Sequence, residues 1–221
     1  QALPSWFPVP IDATNLPLFI INTSGLAISD EPKIDAFLGI VDNGPGNLNR
    51  PTDPFNGYDG KIGIESRGSS SAGFPKKNYG FETRLINGEN NNVSLLGLPV
   101  ENDWILHGPY SDKSLMRNVL SYHIGRVTGE YAPRTKWCEV ILNGEYIGLY
   151  VLIEKIKRDK NRVDISNLQT TDIAGKELTG GYVFSVDRNN QGPNSGWSSP
   201  YTNDLFYRYR DPNYDELVQQ Q

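Results

Sequence analysis

Arg67, Lys76 and Lys77 stand at the edges of a loop made of glycine and serine, Gly68-Ser69-Ser70-Ser71-Ala72-Gly73. The loop joins two candidate strands, Ile62–Arg67 and Asn78–Arg84. A loop without side-chain bulk lets backbone N–H groups approach an anion, and cations at its edges add charge. Arg67, Ser69, Ser70, Lys76 and Lys77 are therefore candidate phosphate-binding residues. An ordinary exposed hairpin with basic flanks has the same composition, so this stretch alone leaves both readings open. Two further places carry charge in a suggestive setting. Arg117 and Asn118 lie beside an apolar helical stripe, where a charged group could reach back towards the preceding loop. Glu154 and Lys155 end a strand that is apolar at nearly every position, although a solvated strand exit would look the same.

Other chemistries have little material. The chain of 221 residues has one cysteine, Cys138, and two histidines, His107 and His123. A Cys/His zinc site would need carboxylates to complete it. No Gly-x-Ser-x-Gly elbow accompanies either histidine, which argues against a serine-hydrolase triad. Cys138 lies in a strand-like run and reads as a buried, inert thiol. The loop from Asn43 to Gly60 is rich in carboxylates and amides, yet it lacks calcium-loop spacing. A net charge of −5 argues against a general nucleic-acid binder. No apolar run approaches the roughly 18 residues that a membrane span needs. The first residues, Gln1-Ala2-Leu3-Pro4-Ser5-Trp6, have neither the basic start nor the apolar core of a signal peptide. Starting without a methionine, the sequence reads as a mature or trimmed form.

The elements that must position these groups follow from periodicity. Leu16–Ile21 and Asp35–Asp42 read as strands, and Tyr79, Phe81 and Thr83 alternate with polar residues as in a half-buried strand. Leu95-Leu96-Gly97-Leu98-Pro99 is an apolar knot before Trp104. Leu115, Met116, Val119, Leu120, His123, Ile124 and Val127 fall on one helical stripe, which predicts a helix opened by Ser111 or Asp112 and stopped at Gly129, with His123 at the edge of the core. Asn143-Gly144 between two apolar runs predicts a tight hairpin over Lys136–Glu154. Later strands are expected near Gly180–Arg188 and Leu205–Arg210, and Asp211-Pro212 leads into a segment that could open a helix.

Taken together and in order, these stretches resemble the CotH kinase family, first associated with spore-coat proteins and grouped with atypical protein kinases. The matching residues are Arg67-Gly68-Ser69-Ser70-Ser71 with Phe74-Pro75-Lys76-Lys77-Asn78-Tyr79, then Leu95-Leu96-Gly97-Leu98-Pro99 and Asp103-Trp104. Tyr110-Ser111-Asp112-Lys113-Ser114 follows with Arg117-Asn118, then Tyr131-Ala132-Pro133-Arg134, Glu139-Val140, the hairpin Leu142–Tyr150, Glu154-Lys155-Ile156 and Arg162-Val163. The resemblance covers about residues 16–188. It implies a secreted, cell-surface or spore-coat-associated enzyme that uses ATP with Mg2+ to phosphorylate serine or threonine in protein partners of coat or surface type. It also implies that the Gly/Ser loop covers phosphates, that Lys76 or Lys77 pairs with them, that the helix after Ser111 braces the lysine region, and that Glu154 and Lys155 fall near the nucleotide's edge.

The fold class expected on this basis is α+β, a mostly antiparallel β-sheet with one prominent helix, resembling the nucleotide-binding N-terminal part of an atypical kinase. Residues 1–15 would form an extended arm and residues 16–221 one CotH-like domain. Family members are longer, and their second half carries acidic motifs for magnesium, including a Trp-Asp-x-Asp-like stretch that this sequence lacks. Only Asp187, Asp204 and Asp211 occur late as candidates, so no metal ligand is assigned. The chain alone is expected to be the nucleotide-binding portion and to be inactive in phosphoryl transfer. The alternative is a non-catalytic surface or coat module that binds a protein or polysaccharide, using some of the four tryptophans and twelve tyrosines.

Overall fold

The computed structural model describes residues 11–187, 195–202 and 205–218. They form two compact units that divide between Lys155 and Ile156. The first unit contains β1 (Leu18–Asn22), β2 (Ile34–Val41), β3 (Tyr58–Arg67), β4 (Asn78–Thr83), β5 (Asp103–His107), α1 (Arg117–Val127), β6 (Thr135–Leu142) and β7 (Glu145–Glu154). The seven strands close into a barrel in the order β1-β2-β3-β4-β5-β7-β6.

Alternation along the strands fills that barrel. Ile62 and Ile64 of β3, Tyr79 and Phe81 of β4, Trp104 and Leu106 of β5, and Tyr150 and Leu152 of β7 all join one buried cluster with Cys138 and Val140 of β6. Leu95 and Leu98 of the apolar knot are buried in the same cluster. The neighbouring strands run antiparallel except at the seam, where β1 pairs parallel to β6 with Leu18 opposite Glu139 and Ile21 opposite Leu142. The Asn143-Gly144 turn has φ of 51° and 82° at its two central residues, the left-handed pair of a type I′ hairpin. Asn143 also fastens this turn to the end of β1, because its Oδ1 accepts the Thr23 N–H at 2.8 Å.

This architecture corrects the α+β, kinase-like expectation. Among the described residues the protein is mostly β, a closed seven-stranded barrel followed by a small sheet, and α1 is its only helix longer than a single turn. Barrel closure depends on the β1–β6 pairing, such as Leu18 with Glu139, between segments far apart in sequence, which periodicity does not report.

The helix itself is shorter than its stripe. Leu115 adopts φ of 62°, which interrupts helical geometry before Arg117. Asp112 nevertheless caps from outside, its Oδ2 accepting the Arg117 N–H at 2.8 Å. The stripe does not reach the core: α1 has no buried residue, and Met116, Leu120, Ile124 and Val127 are exposed. His123 is exposed too, so its expected place at the core's edge is also corrected. The inward faces of seven strands already fill the barrel, leaving α1 no part of that core to supply.

Of the expected arm, residues 1–10 lie outside the described residues. Thr14 exchanges backbone hydrogen bonds with Asn49, and Ile11 packs on Leu18, Val41 and Ile141. The second unit holds a three-stranded antiparallel sheet of β8 (Val183–Asp187), β9 (Gly196–Ser198) and β10 (Phe206–Asp211) in the order β8-β10-β9. Trp197 and Tyr207 stack across it with centroids 5.2 Å apart.

Candidate phosphate-binding cleft

Because Ile64, Leu106 and Leu152 point into the barrel, their neighbours Ile105, His107 and Ile153 belong to the outer face of the same sheet. There, with Arg67 and Asn78, they line a cleft of about 320 Å3. The Gly/Ser loop contributes Gly68 and Ser71, the segment after β5 contributes Gly108–Asp112, and α1 contributes Asn118 and Tyr122. Phe74 and Tyr110 form an aromatic wall, their ring centroids 5.3 Å apart.

The loop's conformation depends on glycine at one position. Gly68 has φ of 120°, and a Cβ there would collide with the Ser71 hydroxyl. Ser70–Gly73 then make one 3-10 turn. Asn78 organises the opposite wall: its Oδ1 accepts the Gly108 N–H at 2.8 Å and lies 2.9 Å from His107 Nδ1. The Gly108 bond fixes the amide oxygen on this side, so His107 donates from Nδ1 and Nε2 is the unprotonated nitrogen. Burial, reinforced by the Arg67 charge, holds the imidazole below its ordinary pKa, against an opposing pull from Asp112. An arginine, a hydroxyl, a side-chain amide and a histidine that gains charge beside an anion make a site suited to phosphate oxygens.

The structure brings together only part of the set read from the sequence. Arg67 lines the cleft, and of the Gly/Ser loop's serines Ser71 lines it, whereas Ser69 and Ser70 begin the 3-10 turn without lining it. Lys76 and Lys77 line a neighbouring cleft with Tyr79, Tyr146 and Tyr150, and Tyr110 is shared by both. Lys77 Nζ donates to the Ala72 carbonyl at 2.7 Å, bracing the Gly/Ser loop from outside. Arg117 extends into solvent, 80% exposed, while the adjacent Asn118 faces the cleft.

Glu154 follows the cleft residue Ile153 but is wholly buried. It accepts the Arg134 backbone N–H at 2.8 Å and pairs with the Arg134 guanidinium at 3.0 Å, a structural clasp between β7 and the approach to β6. Lys155 is half-exposed, 3.7 Å from Asp103. His107 and Asn78 went unassigned in the sequence reading. Their signal was strand alternation, since Ile105 and His107 alternate with the inward-facing Trp104 and Leu106, and Asn78 precedes the inward-facing Tyr79.

Among the described residues no three His, Cys, Asp or Glu side chains gather as a metal-binding group. Asp112 is the one carboxylate lining the cleft, and both its oxygens accept hydrogen bonds from the segment leading into α1. Asp187 pairs with Arg210 and Asp211 with Arg158 inside the second unit, and Asp204 lies outside the described residues.

Comparison with known proteins adds a family to this geometry. A search of curated proteins returns no match. The family model described as CotH kinase protein matches residues 64–217, from within β3 through the three-stranded sheet and over more than half of the chain. The ordered motifs around Arg67, Trp104, Asn118 and Glu154 all fall inside that match, and the chain belongs to the CotH kinase family.

Proposed function

We propose that this chain is the nucleotide-binding portion of a CotH-like secreted or surface protein kinase, with ATP as the phosphate donor and serine or threonine of coat or surface proteins as acceptors in the complete enzyme. The observation that carries this reading is the convergence of Arg67, Ser71, His107 and Asn118 on one cleft with an aromatic wall. Arg67 would neutralise phosphate oxygens, the turn opened by Gly68 would let the loop approach them, and Phe74, Tyr110 and Tyr122 would shelter the rest of the nucleotide from water. ATP, when bound, supplies the phosphoryl group. Lys76 and Lys77 are not assigned to the phosphates, because both line the other cleft.

The described residues fit the nucleotide's phosphates but not its Mg2+. A hard cation wants several oxygen ligands, whereas Asp112 is a single carboxylate already engaged as a cap. No catalytic step is therefore derived through the metal, and the residues act here by binding and positioning. Secretion, or attachment to a spore coat or cell surface, belongs to the same proposal and draws on the family.

The test is thermal unfolding with saturating ATP, with and without Mg2+. A ligand of the folded state raises its apparent stability, by about 2.7 kcal/mol at one hundred times Kd. The expected result is a rise in Tm that Arg67→Ala removes and Lys77→Ala keeps. No rise in the parent protein would favour the second reading, a non-catalytic surface or coat module. That reading draws on the exposed aromatic residues Phe184, Trp197 and Tyr214 of the second unit.

A further inference from the structure

Lys76 occupies an unusual place for an ammonium group. Its Nζ donates to the Ile147 carbonyl at 3.2 Å and lies 4.5 Å from the centre of the Tyr150 ring. An ammonium has three donors. No other hydrogen-bond acceptor or ion-pair partner holds this one among the described residues. Around it is an open cleft of about 450 Å3, within the range of small-molecule sites. Four tyrosines, Tyr79, Tyr110, Tyr146 and Tyr150, stand on its lining. Two of the hydroxyls are already committed, Tyr150 to the Lys77 carbonyl at 3.0 Å and Tyr146 to Glu139 at 2.6 Å.

We infer that the cleft over Lys76 is a second ligand site, which takes a small molecule with a flat apolar body and one carboxylate. The carboxylate would accept from the Lys76 ammonium, and the body would lie among the tyrosine rings. The local charge selects a monoanion. Lys77 shares the cleft, but Glu145 stands on its lining, and Glu139, which accepts from the Tyr146 hydroxyl, acts on Lys76. With two carboxylates set against two ammonium groups, a polyphosphate meets repulsion that a single carboxylate can avoid. Burial pushes the Lys76 amine below its ordinary pKa against an opposing pull from Glu139, so an incoming carboxylate in direct contact adds a partner to a charge now held by one carbonyl and a ring. Gly148 on the lining has φ of 95°, and a Cβ there would stand 2.9 Å from Lys76 Nζ, so a side chain at this position would displace the amine. The inference is independent of nucleotide binding at Arg67.

The experiment is titration of the whole chain with naphthoate, followed by calorimetry and by saturation transfer from protein to ligand protons. Naphthalene methanol, which keeps the body without the charge, acetate, which keeps the charge without the body, and Mg·ATP are the comparisons. Naphthoate should bind at least about tenfold more tightly than the alcohol, the value of one charge-assisted hydrogen bond. Acetate should bind too weakly to measure. Lys76→Met should lose that tenfold preference, and Glu145→Gln, at an exposed position, should tighten naphthoate by about twofold. Naphthoate binding that persists under saturating Mg·ATP supports two separate sites. Naphthoate binding without any ATP binding supports this site while sinking the nucleotide reading. Equal affinity for acid and alcohol in the parent protein overturns the inference even if Lys76→Met fails to fold. So does failure of naphthoate to bind, or its full displacement by Mg·ATP.

Discussion

Arg67 and His107 share the cleft, but they answer an anion differently. The guanidinium keeps its charge at any working pH, so its contribution is the charge-assisted hydrogen bond itself. Arg67→Ala is expected to weaken nucleotide by about 1.5–3 kcal/mol, roughly ten- to a hundredfold, in a calorimetric titration. Lys77→Ala should change it by less than about twofold, since that amine is spent on the Ala72 carbonyl. The imidazole is a titrating partner. Its pKa is lowered by burial and then by Arg67, so the folded protein binds fewer protons here than the unfolded chain. Without ligand, this group's contribution makes stability rise with pH through the window between its lowered pKa and the ordinary histidine range, and fall as pH falls through it. A bound phosphate reverses the local field and favours the imidazolium, so binding should take up a proton. Nucleotide affinity measured from neutral to mildly acid pH should strengthen more in the parent than in His107→Gln. Parallel profiles would remove His107 from the site.

At the scale of elements, the strand core and the helix stripe carry different energetic weight. Leu152 of β7 is fully buried inside the barrel, whereas Leu120 of α1 is 52% exposed. Leu152→Ala should cost about 2–5 kcal/mol in denaturant unfolding, as large-to-small core substitutions do. Leu120→Ala should stay within about 0.5 kcal/mol. A comparable loss at both positions would mean that α1 is packed in solution. The stripe from Leu115 to Val127 was legible as helix because apolar residues recur every three or four positions. Periodicity reports what a helix could bury, not what it does bury. The strands were read more accurately because alternation and turn chemistry act over a few residues. The Asn143-Gly144 hairpin and the alternation of Tyr79, Phe81 and Thr83 in β4 are such cases.

For the molecule as a whole, nucleotide binding and phosphoryl transfer are separable properties. The described residues offer the cleft proposed for phosphate but no cluster of carboxylates beside it. Phosphoryl transfer rests on positioning together with charge neutralisation, much of it by metal ions. The 221-residue chain is therefore expected to bind nucleotide yet transfer no phosphate to casein-like or coat-type acceptors. Mg2+-dependent incorporation of labelled phosphate would contradict this.

The sequence by itself determined the local units: the glycine that opens the Gly/Ser loop, the hairpin at Asn143-Gly144, the buried thiol of Cys138, and the ordered motifs that mark the CotH kinase family. Each depends on neighbours a few residues apart, or on the order of short segments. The tertiary structure decided what those units make together. Pairing of β1 with β6 closed a barrel where an α+β kinase lobe had been expected. The bend before β4 sent Lys76 towards the tyrosine cleft, and the strand ends of β3 and β5 set Arg67 and His107 around the other. Two adjacent lysines just after a glycine loop look alike in sequence. Which carbonyl, ring or cleft each one meets depends on strands brought alongside from elsewhere in the chain, and only closure of the barrel fixes that.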